Sequence, residues 1–289
     1  GQIHGIIGVH CENGDLVNEM IAENRAAGHL TLDFHPLTRP DYVEAEAIAR
    51  YCYIAYAAGV PINVVHLSTK AGLEEIRRAR VRGQKVYIES CPQYFTMDDS
   101  LYRLPGFESA KYVCSPPLRK KEDQAALWGA LAAGEIDTIS TDHCSFNWKG
   151  QKDLGKDDFS KIPNGMPGIE HRPVMMYTRG VATGRMTDEQ MAKLLSEDTA
   201  RLFGLYPRKG VLAVGSDADI VVWDPAYEGR ISAATQYQNV DYTPYEQQKT
   251  IGRAKAVFLR GTQVVSDGKV IRENGGIYIP RKESEYYER

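Results

Sequence analysis

The sequence contains no apolar run near the roughly 20 residues that span a bilayer, and its opening lacks the basic-then-apolar pattern of a signal peptide. Neither insertion into a membrane nor secretion is expected. Its five cysteines, Cys11, Cys52, Cys91, Cys114 and Cys144, are odd in number and scattered with no CxxC pair. That argues against a disulfide framework or a thiolate zinc site and fits a reducing cytoplasm. There is no basic excess either: 35 Lys and Arg stand against 38 Asp and Glu, a formal charge of -3. Nothing in that balance would hold a phosphate backbone, so nucleic acid is not an expected partner. The chain opens Gly1-Gln2-Ile3 without methionine, and a strand is expected almost at once, at Ile6, so further polypeptide is expected upstream.

What is present describes a sizeable core. The chain has 289 residues, 43% hydrophobic and 25% charged. From residue 6 to about 141 short β-branched runs alternate with amphipathic helical stretches, the pattern of parallel βα units. Strands are expected at Ile6 to His10, Ile62 to His66, Lys85 to Glu89 and Thr138 to Thr141. Between the first two, Val43, Ala47, Ile48, Tyr51, Ile54 and Ala55 repeat at helical spacing, and Gly59 follows as a C-terminal cap; Leu73 and Ile76 precede Gly83 in the same way. Four such units are half of a closed (β/α)8 barrel, which typically takes about 250 residues. The expected fold class is therefore α/β, a TIM-barrel-type (β/α)8 architecture represented by roughly its second half. A complete open α/β sheet is the alternative, but no glycine-rich nucleotide turn follows any strand to give it a site.

Residues 144–168, rich in Gly, Lys, Asp and Pro, form a connection long enough to expect function from it. Thr187 and Gln190 make a capping box for a helix carrying Met191, Leu194 and Leu195. From Val211 short strands are expected at Ile220 to Trp223, Ala256 to Leu259 and Gln263 to Val265, separated by Gly and Asp turns. The division drawn from this is 1–206 for the barrel part and 207–289 for a small β-rich (β-sandwich) tail and its extension. Arg281 to Arg289, charged and tyrosine-rich, is expected to be a mobile end or a subunit contact.

His10, His66 and Asp142 each stand at the end of an expected strand. In a parallel barrel those ends share one rim, where active sites lie, so two imidazoles and a carboxylate should converge. Such a set suits zinc, or cobalt or manganese, which accept mixed nitrogen and oxygen donors. One histidine alone would read more simply as a hydrogen-bonded rim residue; three groups at equivalent positions favour a metal site.

These residues also sit in a series of segments that resembles the dihydropyrimidinases and hydantoinases, cyclic amidohydrolases of the amidohydrolase superfamily. The series is His10-Cys11-Glu12-Asn13-Gly14, Val65-His66-Leu67-Ser68, Cys91-Pro92-Gln93-Tyr94, Cys114-Ser115-Pro116-Pro117-Leu118-Arg119, Ser140-Thr141-Asp142-His143-Cys144 and Ile162-Pro163-Asn164-Gly165. Gly155 to Phe159 and Asn239 to Tyr245 are similar to further family segments.

The resemblance implies hydrolysis of the ring amide of 5,6-dihydropyrimidines or hydantoins to N-carbamoyl amino acids at a binuclear metal centre. His10 and His66 would bind one ion and Asp142 the other, with a hydroxide between them. Asp142 would also shuttle the proton to the leaving nitrogen, and the backbone of Ser115 and Asn164 would read the cyclic amide. From the residues alone, Ser115 reads equally as a turn before Pro116, and Asn164 as a turn before Gly165.

The family's remaining parts, a His-x-His pair, a carboxylated lysine bridging the ions and an oxyanion-stabilising tyrosine, are expected upstream, since no His-x-His occurs here. His143 is expected to orient Asp142 or line the rim, and His29 and His35 to be helix-end and loop residues; His4 and His171 carry no role. The chain alone is expected to be inactive and to expose apolar strand edges. Relatives are commonly homotetramers. Allantoinase and dihydroorotase are the alternatives within the class, disfavoured by His143-Cys144-Ser145-Phe146 after the aspartate. The non-catalytic dihydropyrimidinase-related scaffold proteins are the alternative outside it, disfavoured by the three retained ligands.

Overall fold

The computed structural model describes residues 4–287. Contacts divide these into two units, neither continuous in sequence. One holds Ile7–Arg172 with Ile231–Gln247; the other holds the described residues before Ile7, Pro173–Arg230 and the described residues from Gln248 on. The expectations placed on Gly1 to Ile3 and on Glu288 and Arg289 lie outside the described residues.

The first unit is built on four parallel strands in the order β1-β2-β3-β4: β1 (Ile7–Val9), β2 (Ile62–Val64), β3 (Val86–Ser90) and β4 (Thr138–Ile139). All four expected strands are present; the first, second and fourth are shorter than expected, and the third is shifted by one residue, to Val86–Ser90. Register pairs Val9 with Val64, Val64 with Ile88 and Ser90 with Ile139, so the C-terminal ends lie side by side. The crossovers are helices α1 (Gly14–Ala26), α2 (Asp41–Ala58) and α3 (Lys70–Val81), then α4 (Pro92–Thr96) and α5 (Lys121–Ala132) between β3 and β4. No described helix is long and apolar enough to cross a membrane.

Helix α2 buries Val43, Glu44, Ala47, Ile48, Cys52 and Ala55, the 3.6-residue stripe of a helix lying on a sheet. Ile54, expected in that stripe, is 56% exposed, because the stripe passes through Cys52 and Ala55 instead. The helix ends where Gly59 takes a left-handed φ of 62°, a conformation that costs an L-residue with a Cβ. Helix α3 starts on Thr69, whose hydroxyl accepts from the Gly72 amide, and it buries Leu73, Ile76 and Ala79.

In the second unit β5 (Ile220–Arg230), β6 (Lys249–Leu259), β7 (Thr262–Ser266) and β8 (Lys269–Val270) form an antiparallel sheet in that order. Arg260-Gly261 and Asp267-Gly268 have positive φ at both positions, which suits two-residue hairpins. β5 and β6 are longer than expected, because pairing continues past a bulge between Asp224 and Glu228. The Thr187–Gln190 capping box is formed as the sequence predicts.

The C-terminal tail, expected mobile or at a subunit contact, is held within this unit as far as it is described. Glu285 pairs with Arg201 at 2.5 Å, and the buried Tyr286 donates to Asp198 at 2.9 Å. Its aromatic residues gain burial that a solvated end would forgo.

Ile88 on β3 is fully buried. Ile88→Ala is expected to lower unfolding stability by about 2–5 kcal/mol at unchanged m-value in urea titrations. A loss under about 1 kcal/mol would contradict the placement of β3 in the core.

Candidate functional site

Parallel register puts three strand exits next to one another. His10 directly follows β1; His66 lies two residues beyond β2, and Asp142 three beyond β4. His66 and Asp142 both leave their strands through left-handed turns, with φ of 43° and 46°. Such conformations are uncommon for non-glycine residues and persist where the surroundings over-determine them. For His66 those surroundings are visible: Val65 N donates to Val9 O at 3.2 Å and Leu67 N to Glu89 O at 2.8 Å, bracketing it between β1 and β3.

The result is direct contact of two imidazoles. His10 Nδ1 and His66 Nε2 are 2.8 Å apart, with the rings edge to face. His10 Nε2 lies 3.2 Å from Glu12 Oε2. Burial opposes ionisation of Glu12, but His10, Arg39 and Ser115 more than offset it and hold the carboxyl at about 2. An ionised carboxylate only accepts, so it fixes the proton of His10 on Nε2 and leaves the Nδ1 lone pair facing His66. His66 is buried, and burial first, then neighbouring His10, pushes its imidazole down to about 4. The two ring nitrogens that meet here, His10 Nδ1 and His66 Nε2, form the kind of imidazole pair a divalent cation takes once the proton shared between them is displaced. His66 Nδ1 is buried without a partner.

Asp142 is half-buried, and its carboxyl is raised from the ordinary value by burial, partly countered by His10. Glu89 is raised likewise by burial, against a hydrogen bond from Ser140 and with a further upward push from Asp142. Two carboxyls raised beside one pair of imidazoles mark a place able to store and move a proton. Among the described residues, however, no three His, Cys, Asp or Glu side chains are grouped so as to hold a metal ion. What this chain brings together is an imidazole pair that fits one side of a cation, with Asp142 within electrostatic reach of His10.

Ser115 and Asn164 sit on two adjacent loops. Gly165 N donates to Val113 O at 3.0 Å. Gly165 has φ 138°, and a Cβ there would come within 2.4 Å of Cys144 Cβ and Sγ, so the close packing of Gly165 on Cys144 needs glycine. Ser115 Oγ donates to Glu12 Oε2 at 2.7 Å, joining its loop to the imidazole pair through one carboxylate, which Arg39 also contacts at 2.7 Å. Neither the peptide N–H nor the C=O of Ser115 or Asn164 has a hydrogen-bond partner among the described residues.

Among the other histidines, the readings of His143 as a partner of Asp142 and of His35 as a loop residue are corrected. His143 does not bond Asp142; its Nδ1 accepts the amides of Gly168 and Ile169 at 3.0 and 3.3 Å, tying down the far side of the Asn164 loop. His35 is no ordinary loop residue but a buried one whose Nε2 meets Cys114 O at 2.9 Å. His171 is buried, its ring edge-to-face with Tyr245 at 5.8 Å. His29 stacks on Phe34 at 4.4 Å, as a helix-end residue would. His4, given no role by the sequence, stacks on Tyr287 at 4.9 Å in the second unit. Glu12, Arg39, Glu89 and Lys152 were missed. Glu12 and Glu89 carried signals, Glu12 two residues after His10 and Glu89 at the end of an expected strand.

Burial, then the nearby Arg39 charge, pushes His35 down to about 3, while Glu12 pushes the other way and Lys152 adds to the depression. A base depressed on folding stays neutral when folded, so its contribution is complete above the unfolded value near 6.5 and is lost as pH falls toward 3. His35→Gln keeps an amide donor for Cys114 O. It is expected to flatten the acid side of the stability curve by up to about 1.4 kcal/mol per pH unit between these limits. Identical slopes for both proteins in urea titrations across that range would contradict it.

Comparison with known proteins agrees with this geometry. Residues 9–264 match the model of the amidohydrolase family. The D-hydantoinase of Geobacillus stearothermophilus is 44% identical over 281 residues, 97% of this chain and 60% of the relative. That of Streptomyces coelicolor is 44% identical over 283 residues, 98% of this chain and 60% of the relative. The solved structure of a D-hydantoinase (dihydropyrimidinase) from Thermus sp. superposes with a TM-score of 0.95 at 43% identity, over 99% of this chain and 62% of that one. The chain thus spans about three-fifths of the length of the curated relatives it matches. On the family match, and on strand exits that bring His10 against His66 within it, the chain belongs to the amidohydrolase family, in its dihydropyrimidinase/D-hydantoinase branch.

Proposed function

We propose that this chain supplies one face of the active site of a cyclic amidohydrolase that opens 5,6-dihydropyrimidines and hydantoins to N-carbamoyl amino acids. The observation that carries the reading is the 2.8 Å approach of the His10 and His66 imidazoles beside a half-buried carboxyl, in a chain 44% identical to a D-hydantoinase. His10 Nδ1 and His66 Nε2 would hold one of two divalent ions, zinc in the first instance, and Asp142 would reach the other. Such ions supply Lewis acidity and make water nucleophilic near neutral pH. Glu12 keeps the His10 lone pair directed inward. Asp142, its proton affinity raised by burial, takes a proton from the attacking water and delivers it to the leaving ring nitrogen. The uncommitted peptide groups of Ser115 and Asn164 pair with the ring's C=O and N–H.

The same reading makes the parallel sheet the second half of a (β/α)8 barrel. In support, β1 is an edge strand and Ile7 on it is 58% exposed, as if a neighbouring strand should cover it. The proposed domains are 1–206 for the barrel and 207–289 for the β-rich part. The remaining metal donors, a carboxylated lysine among them, come from polypeptide outside these 289 residues. The working enzyme is a cytoplasmic homotetramer, and the 289-residue chain alone is inactive.

The full-length gene product is expected to contain two divalent ions per chain by elemental analysis and to hydrolyse dihydrouracil or hydantoin. Asp142→Asn in that protein lowers kcat by about 10²–10⁴. A metal-free protein that turns over neither ring would end the hydrolase reading. Turnover by the purified 289-residue chain would end the claim of a shared site.

A further inference from the structure

Among the described residues Lys152 is the only lysine in the buried set, with no exposed surface at all. An ammonium taken out of water is costly unless it is paired, yet no carboxylate lies within ion-pair distance of it among the described residues. Its Nζ donates instead to two main-chain carbonyls, Val113 O at 2.8 Å and Pro163 O at 2.6 Å. The Phe146 ring lies 5.9 Å from the same nitrogen. Burial lowers its proton affinity to about 8, which still leaves it a cation at neutral pH.

The two acceptors belong to loops 50 residues apart in sequence, and each lies just before a residue given a substrate-reading role: Val113 two before Ser115, Pro163 one before Asn164. The neighbouring carbonyls are committed too. Cys114 O is held by His35 at 2.9 Å and Pro116 O by Tyr94 Oη at 2.8 Å. Buried side chains therefore take the carbonyls on either side of Ser115 and the one before Asn164. The peptide groups of Ser115 and Asn164 themselves are left unbonded. A generic core lysine would have no reason to select these acceptors.

We propose that Lys152 is a positioning residue that ties the Ser115 and Asn164 loops together through one ammonium, so that their free peptide groups form a single receptor for a planar cyclic amide. This rests on the cyclic-ureide reading above. The ammonium never touches the ring; it sets the spacing of the groups that do. Removing it should therefore weaken ring binding without disturbing the imidazole pair.

The test is Lys152→Met in the metal-loaded full-length protein, a change of similar length that also removes a buried charge. Two readouts are taken: steady-state kinetics on dihydrouracil and hydantoin, and amide hydrogen exchange over 113–118 and 162–166. The proposal expects KM to rise by about tenfold or more with kcat within about threefold, as for lost binding of the ring that is equal in ground and transition states. Metal content should be unchanged, and exchange should speed up in both segments together. Faster exchange with KM unmoved would make Lys152 a structural residue only and overturn the proposal, as would unchanged exchange. If the wild type turns over neither ring, the cyclic-ureide reading falls and the receptor with it; the exchange arm then still decides whether Lys152 joins the two loops. Should Lys152→Met not fold, Lys152→Gln, which can reach one carbonyl but not both, is read in the same assays; wild-type KM and exchange in it would equally overturn the proposal.

Discussion

The register of β1 on β2 is the constraint from which the site follows. Val9 stands opposite Val64, so His10 and the left-handed turn at His66 leave the sheet at the same level and their rings meet. A slip of one residue would turn each side chain to the other face and separate the two nitrogens. That register is held by burial and by the ladder: Ile62, Val64, Val86 and Ile88 are almost wholly excluded from water, and Val65 N donates to Val9 O just past the paired residues. Strand burial and the meeting of the two imidazoles are thus one physical fact, since the energy holding Val64 and Ile88 inside also holds His66 against His10.

Around this pair the unit invests polar burial rather than apolar packing. Glu44, fully buried, accepts from the Ser68 amide at 3.0 Å and from both the Ser68 and Thr69 hydroxyls, fixing the turn just past His66. Glu12 links His10, Arg39 and Ser115 through one carboxylate group. His35, Tyr94 and Lys152 hold carbonyls of the Ser115 and Asn164 loops. Each such group is costly to bury and has few conformations in which it is satisfied, so together they leave little freedom to the loops that face the imidazoles. The same tightness makes Gly165 necessary where the Asn164 loop packs on Cys144: there is no room for a Cβ.

Much of this was legible in the sequence, for a specific reason. A buried parallel strand writes itself as an apolar run that stops at a polar residue, and His10, His66 and Asp142 stand where such runs stop. Gly59 and the Thr187–Gln190 pair announced helix ends through local chemistry alone. What was not legible depends on partners distant in the chain. Nothing distinguishes Lys152 from Lys149 or Lys156 until Val113 and Pro163 are seen beside it, and His35 gives no sign that Cys114 O is its acceptor. Periodicity likewise placed Ile54 inside because it could not tell which of two adjacent stripes faced the sheet. The tail around Tyr286 read as a mobile end or a subunit contact because its partner, Asp198, lies 88 positions away.

The central claim is that His10 Nδ1 and His66 Nε2 jointly face one cation. An anomalous-scattering map of the metal-loaded full-length protein, collected at the metal edge, tests it most directly. The account predicts a peak within about 2.0–2.1 Å of both nitrogens, the usual zinc–imidazole distance. A peak bound to only one of them, or two rings turned apart with the metal held elsewhere, would contradict it.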